Sequence, residues 1–359
     1  MRGSALKSEN ASRPWSRILA CALCAGMVLV TLPGCQADSR EVSLQTVAMD
    51  TFMDLTVWSK DEEIARDALN QASALIQALD ETLSATREDS VIYALNHAGG
   101  AWTDVGADTA QLLERAIELG RLTGGALDIT AYPAVQAWGF ISGDYRVPDS
   151  GELELLAELI DYTRLEVDGA QARLPQGMEV ELGAVAKGYA GDRLAQLMED
   201  LGITSALFSL GQSSIQAVGS KPDGSPWRIG LQDPAGSGYL GVLEVSGLAV
   251  GTSGGYQRYF EQDGQTYWHI LDPDTAAPAR SGLASVTVVS PSGLMCDGLS
   301  TALFVLGQEQ GLQLWRDHPE LDFEVIFISQ DGSISMTPGL EGSFALAQGY
   351  ENREVTILS

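Results

Sequence analysis

The stretch that most constrains this chain is Glu181-Leu-Gly-Ala-Val-Ala-Lys-Gly-Tyr-Ala-Gly-Asp192. A short β-type run from Met178 to Leu182 ends at Gly183, and an apolar pattern of helical period follows through Ala186, Leu194, Leu197, Met198 and Leu201. The order reads as strand, glycine turn, helix. The first turn of a helix carries backbone N–H groups without internal partners and the positive end of the macrodipole, so it favours phosphate oxygens. Lys187 shares a face with Ala184 and would add a mobile ammonium there. After residue 34 the only lysines are Lys60, Lys187 and Lys221, which sets Lys187 apart. From these twelve residues alone, a snorkelling lysine on an ordinary helix fits equally well.

The N-terminus departs from the globular composition of the rest. Arg2, Lys7, Arg13 and Arg17 precede an apolar run from Ile18 to Leu32, which closes at Leu32-Pro-Gly-Cys35. A basic head, a short apolar core and a small residue before cysteine make a secretory signal of the lipoprotein type. Residues 1–34 are then removed and Cys35 becomes the lipid-bearing first residue. About fifteen apolar residues fall short of the ~20 that a membrane span needs. Residues 35–45 read as a polar leash and residues 46–359 as the folded domain.

Removing residues 1–34 takes away four basic residues and one acidic, so the formal net charge moves from −27 to −30. Such a surface repels nucleic acid and anionic lipid head groups, which leaves the lipid tether as the membrane contact. A polyphosphate ligand must therefore be met by local positive charge or by a metal. Cys21 and Cys24 leave with the signal, and Cys296 has no partner once Cys35 carries lipid. This excludes a disulfide framework and, with no His-rich pattern, argues against zinc.

Along the chain, Val42 to Trp58 alternates as a strand or hairpin broken near Met49-Asp-Thr51. Asp61 to Leu83 is an amphipathic helix with Ile64, Ala68, Ala72, Leu75, Ile76 and Leu79 on one face. A short helix begins at Asp89 or Ser90, and Asp108 caps another that runs to Leu122. Thr123-Gly-Gly-Ala-Leu-Asp-Ile-Thr-Ala-Tyr-Pro133 is a shaped loop next to a short strand, since two glycines and a proline break regular helix. A helix follows over 149–160, then a small β meander over 163–182 and, after the central helix, strands at 205–210, 215–219, 227–231, 240–245 and 248–252. Thr252-Ser-Gly-Gly-Tyr-Gln-Arg258 repeats the glycine-turn pattern. A strand then ends at Tyr267-Trp-His-Ile-Leu-Asp-Pro273, a strand at 285–290 leads to a helix at 294–306, and late strands fall at 323–328, 334–337 and 355–358. Strands and helices mix without regular βαβ alternation or a long repeat. The class is α+β, one integrated unit of one or two lobes.

Asp297 and Thr301 lie four apart on the helix over 294–306, so their oxygens share a face. With a backbone carbonyl they make an oxygen-only set suited to magnesium. Taken alone, this pair also fits a solvated helix face. His269, one of three histidines, stands where a strand meets a polar loop, a position that suits proton transfer or a structural role equally. Together the pieces suggest a metal-assisted reaction on a phosphate-containing ligand.

The ordered set Met49-Asp-Thr, Leu83-Ser with Asp89-Ser90 and Leu95-Asn96, Thr123-Gly-Gly-Ala-Leu-Asp-Ile-Thr with Trp138-Gly-Phe140, Ala186-Lys-Gly-Tyr-Ala190, Thr252-Ser-Gly254, His269-Ile-Leu-Asp-Pro273 and Asp297-Gly-Leu-Ser-Thr-Ala302 resembles the FAD:protein FMN transferase family, ApbE type. The resemblance runs from about residue 46 to about 330. It implies an exported, often lipid-anchored, magnesium-dependent enzyme on the outer side of the cytoplasmic membrane or in the periplasm. Such an enzyme cleaves FAD, joins the FMN part through its phosphate to a threonine hydroxyl of a flavoprotein and releases AMP. The acceptors it suggests are subunits of membrane redox complexes.

By the same resemblance, Met49, Ala126, Leu127, Asp128, Glu181, Lys187 and Ile270 would contact FAD. The carbonyl of Ala184 with Asp297 and Thr301 would hold magnesium, and His269 and Lys187 would act in catalysis. The chain departs from the pattern at Ala85-Thr86, where an aromatic residue is usual, and at Glu181, where aspartate is commoner. It also departs at Cys296 for alanine, and at Gln212 and Ala276 for glycine. FAD hydrolysis to FMN and AMP, and flavin binding without turnover, are the alternative readings.

Overall fold

Nine strands lie side by side in chain order: Arg40–Ala48, Thr51–Ser59, Ser205–Leu210, Ser214–Gly219, Ala249–Gly254, Leu283–Ser290, Glu324–Ser329, Ile334–Met336 and Val355–Ile357. Every neighbouring pair is antiparallel except the last, which is parallel. The computed structural model describes residues 39–359, and the expected signal over 1–34 and the lipid-bearing Cys35 lie outside them. The first strand begins at Arg40, so the part of the leash over 40–45 is sheet, of which 42–45 also fall in the strand expected over 42–58.

Among the described residues seven α-helices are inserted between strands: α1 (Glu62–Leu83), α2 (Val91–Asn96), α3 (Ala107–Leu122), α4 (Tyr132–Ala137), α5 (Ser150–Ala157), α6 (Ala186–Asp200) and α7 (Gly293–Asp317). Because side chains alternate across a strand, the sheet has two apolar faces. Phe208 packs with Ala68, Ile76 and Leu194 of α1 and α6, while Val286, Val288 and Phe327 pack with Leu299 and Leu303 of α7. On the opposite face, Val250, Val289 and Ile326 meet Trp227, Leu240 and Leu243 of a three-stranded sheet. Phe208, Phe304 and Phe327 are fully buried, each contributing on the order of 2–3 kcal/mol of transfer free energy. The class is α+β, as the sequence predicts. Among the described residues no helix is long and apolar enough to cross a membrane.

Several boundaries differ from expectation, each for a local reason. Asp61 caps α1 through the amides of Glu63 and Ile64, but Ile64 itself is half exposed, one position off the buried stripe of Ala65, Ala68, Ala72 and Ile76. Ser90 caps α2. Asp108 is not the cap of α3: Gly106 holds that place, and Asp108 instead pairs with Arg193 at 2.9 Å. The strand expected beside the 123–133 loop is absent; α4 occupies that place, with Pro133 in its first turn where no amide is needed. The run from Met178 to Leu182 joins no ladder beyond one bridge between Ala131 and Glu179. The Asn96 side chain clasps Val180 N and O at 2.8 and 2.9 Å instead. Gly307 breaks α7 with φ 80°, yet the chain resumes helix to Asp317.

Candidate functional site

The extended segment before α6 ends in a tight turn in which Val185 N and Ala186 N both donate to Leu182 O. Val185, the N-cap of α6, offers no side-chain oxygen. Of the first-turn amides of α6, Ala186 N is thus already taken, Lys187 N has no backbone acceptor among the described residues, and Gly188 N donates to Asp297 Oδ2 across 2.6 Å. In a regular helix that amide would bond to the carbonyl of Ala184. Among the described residues no backbone amide donates to that carbonyl. Lys187 Nζ reaches Gly183 O at 3.4 Å, and Gly183 N donates to Glu181 Oε1 at 2.6 Å. Desolvation pushes the Glu181 carboxyl up, opposed by the Gly183 amide and the charges of Lys187 and Arg258.

Asp297 is 7 % exposed. Its Oδ1 accepts from Ser214 Oγ at 2.7 Å, which fixes the carboxylate plane against the Gly188 amide. Burial raises its pKa and Lys187 lowers it. One turn on, Thr301 Oγ1 lies 3.2 Å from Asp297 O and 3.1 Å from Ser253 Oγ. Gln216 Oε1, buried in the crevice it lines with Lys187, Ser214 and Asp297, has no hydrogen-bond partner. The approach of the two helices depends on glycine: a Cβ on Gly188 would fall inside the Gly293 backbone, and one on Gly293 would clash with the Gly188 carbonyl. A buried carboxylate, a hydroxyl and a carbonyl released from its helix fit a hard divalent cation, which prefers oxygen. Among the described residues no three His, Cys, Asp or Glu side chains gather into a metal-binding group.

His269 follows the hairpin of Tyr259–Gln262 and Gln265–Trp268, which the sequence reading reduced to one strand. Its Nδ1 is 3.2 Å from Arg258 O. A carbonyl only accepts, so Nδ1 carries the proton and Nε2 keeps its lone pair. Desolvation, with the nearby charges of Arg258 and Lys187, holds the imidazole pKa at about 4, so it is a neutral base at physiological pH. Arg258 is anchored by the carbonyl of Phe140, whose ring meets His269 edge-on at 6.3 Å.

The other predicted residues hold a turn, a loop and the core. Met49 and Asp50 form the two-residue turn between the first two strands with φ 49° and 58°. Met49 N is held by Asp80 Oδ1 at 2.9 Å. Asp128 uses both oxygens to shape its loop: Oδ1 accepts from Thr130 N and Oγ1, and Oδ2 from Tyr162 N at 2.8 Å. Ala126, Leu127 and Ile270 are buried, so Leu127 and Ile270 give their side chains to the core. Sequence reasoning missed Ser214 and Arg258. Nothing local marks Ser214, whereas Arg258 had one signal, a guanidinium just past a glycine turn in an acidic chain.

With this geometry the class of protein is defined: an α+β domain with a carboxylate-bearing helix packed against a lysine-bearing helix start. The same fold is found in the ApbE protein of Thermotoga maritima, with a TM-score of 0.79 and 29% identity over 85% of this chain and 99% of that one. It is also found in the flavinyl transferase ApbE of Pseudomonas stutzeri, with a TM-score of 0.74 and 28% identity over 86% and 99%. The ApbE family model matches residues 49–327, and the chain belongs to that family. Among its relatives are the FAD:protein FMN transferase of Treponema pallidum, 34% identical over 90% of this chain and 93% of that protein, and that of Klebsiella pneumoniae, 33% identical over 83% and 87%.

Proposed function

We propose that this chain is an FAD:protein FMN transferase that moves FMN from FAD to a threonine hydroxyl of an acceptor flavoprotein and releases AMP. The observation that carries the reading is the hydrogen bond from the α6 amide of Gly188 to the buried carboxylate of Asp297. It stands next to Lys187, whose charge is felt at both Asp297 and His269. Lys187 and Arg258 supply positive charge for phosphate oxygens in a chain that is otherwise strongly acidic.

Ala184, Asp297 and Thr301 would hold magnesium, which when bound offsets negative charge on the pyrophosphate. His269 accepts the proton of the acceptor threonine at Nε2 while the threonine oxygen bonds to the FMN phosphorus. The phosphoanhydride bond breaks on the far side and AMP leaves with that electron pair. Met49, Ala126, Leu127, Asp128, Glu181 and Ile270 would form the wall against FAD, the buried ones through backbone. Export, lipid attachment at Cys35 and an acceptor within a membrane redox complex complete the reading.

Incubating the full chain with FAD, magnesium and an acceptor domain tests it. An FMN mass increment on the acceptor threonine together with AMP is expected; AMP and free FMN with an unmodified acceptor would instead establish an FAD pyrophosphatase. Replacing Cys35 with serine should release the protein from membranes.

A further inference from the structure

The Glu181–Asp192 stretch ends at Asp192, a residue with no part in the chemistry proposed for the site. Asp192 lies one turn along α6 from Gly188, half-buried, and its carboxylate turns away from its own helix. Oδ2 accepts from Ser292 Oγ at 2.9 Å and Leu294 N at 3.0 Å, and Oδ1 accepts from Gly293 N. These are the cap and first-turn donors of α7. Thus each helix lends a carboxylate to the other's backbone: Asp192 of α6 to the start of α7, Asp297 of α7 to Gly188 of α6. Between the two exchanges the backbones of Gly188 and Gly293 touch. A sideways slip of α7 would break both carboxylate contacts at once.

We propose that Asp192 is a positioning residue for the divalent cation, holding α7 in register so that Asp297 stays in place beside Gly188. This rests on the reading that Asp297 binds the cation. A group behind a metal ligand commonly changes metal affinity roughly ten- to hundred-fold when lost. The amide of Asp192→Asn would point donors at donors and should weaken Mg2+ binding on that scale. Asp192→Ala, without any acceptor, should weaken it at least as much, and Ser292→Ala should shift it less in the same direction.

The experiment is calorimetric titration of the full chain with Mg2+ alone, with the unfolding midpoint measured in parallel. A raised Kd in a variant with parental far-UV dichroism supports the proposal. A lowered unfolding midpoint with parental Kd marks a purely structural residue and overturns it. Should Asp192→Asn not fold, a parental Kd in Ser292→Ala overturns it equally. Asp297→Ala is the separate control: a parental Kd there removes the metal reading itself and the proposal with it.

Discussion

Gly188 N lies 2.6 Å from Asp297 Oδ2, so an amide in the first turn of one helix and a carboxylate in the second turn of another form a single unit although 109 residues separate them in sequence. The bond commits one lone pair of the carboxylate to the fold. It also joins the parts of the site proposed for phosphate and for the cation.

Gly188→Ala tests that unit sterically. The added methyl would enter the Gly293 backbone, and overpacking of this kind costs about 1–3 kcal/mol. Denaturant unfolding should show a loss of that size, and AMP release should fall with it. Gly169→Ala, whose Cβ would meet open space, should affect stability only through its positive φ and leave turnover near the parental rate.

Asp297→Ala should abolish magnesium-dependent AMP release while the chain stays folded. Burial disfavours the ionised carboxylate, so removing it relieves a cost that partly offsets the loss of the Gly188 and Ser214 hydrogen bonds. In magnesium-free buffer the unfolding midpoint should therefore move little. Full activity in this variant would refute the assignment.

The pH dependence follows from His269. Its folded pKa of about 4 lies below the ordinary 6.5, so between those values the unfolded chain binds more protons than the folded one. Stability contributed by the neutral ring is thus present above pH 6.5 and is lost as pH falls toward 4. For activity, the acid limb of kcat/KM for transfer should fall near pH 4 rather than near 6.5. His269→Ala should remove that limb and slow transfer more than it weakens FAD binding, which flavin fluorescence titration measures separately.

Gln212 is exposed with φ 66° beside Gly211 at φ 77°. A left-handed conformation costs an ordinary residue roughly 1–2 kcal/mol, whereas asparagine tolerates it. Gln212→Asn should therefore stabilise the chain by about 0.5 kcal/mol, read as a higher urea midpoint with an unchanged slope.

The legible parts of the fold were those written in local pattern. The α1 stripe, the Ser90 cap and the Met49-Asp50 turn follow from period, capping chemistry and turn geometry. Glycine 183 and Lys187 were legible for the same reason. What the sequence withheld depends on distant partners. Met178 to Leu182 has strand-like residues, but its backbone is taken by Asn96 and Ile129 rather than by a neighbouring strand. Ser214 gains its meaning only when Asp297 arrives beside it. Ala276, where the resemblance expects glycine, has a φ of 54°, in the region that glycine favours, and its carbonyl accepts the Trp138 indole at 2.8 Å.

The chain-order sheet has a consequence for synthesis. The hairpin of Arg40–Ala48 and Thr51–Ser59 emerges first, yet its next neighbour, Ser205–Leu210, comes only after six helices have been made. Until then the hairpin has an open edge, and α6 stays without its α7 partner until residue 293 and those after it have been made. Nascent chains stalled before residue 293 would carry an unfinished sheet and an unpartnered α6, and the Asp297 side of the site would arrive only with α7.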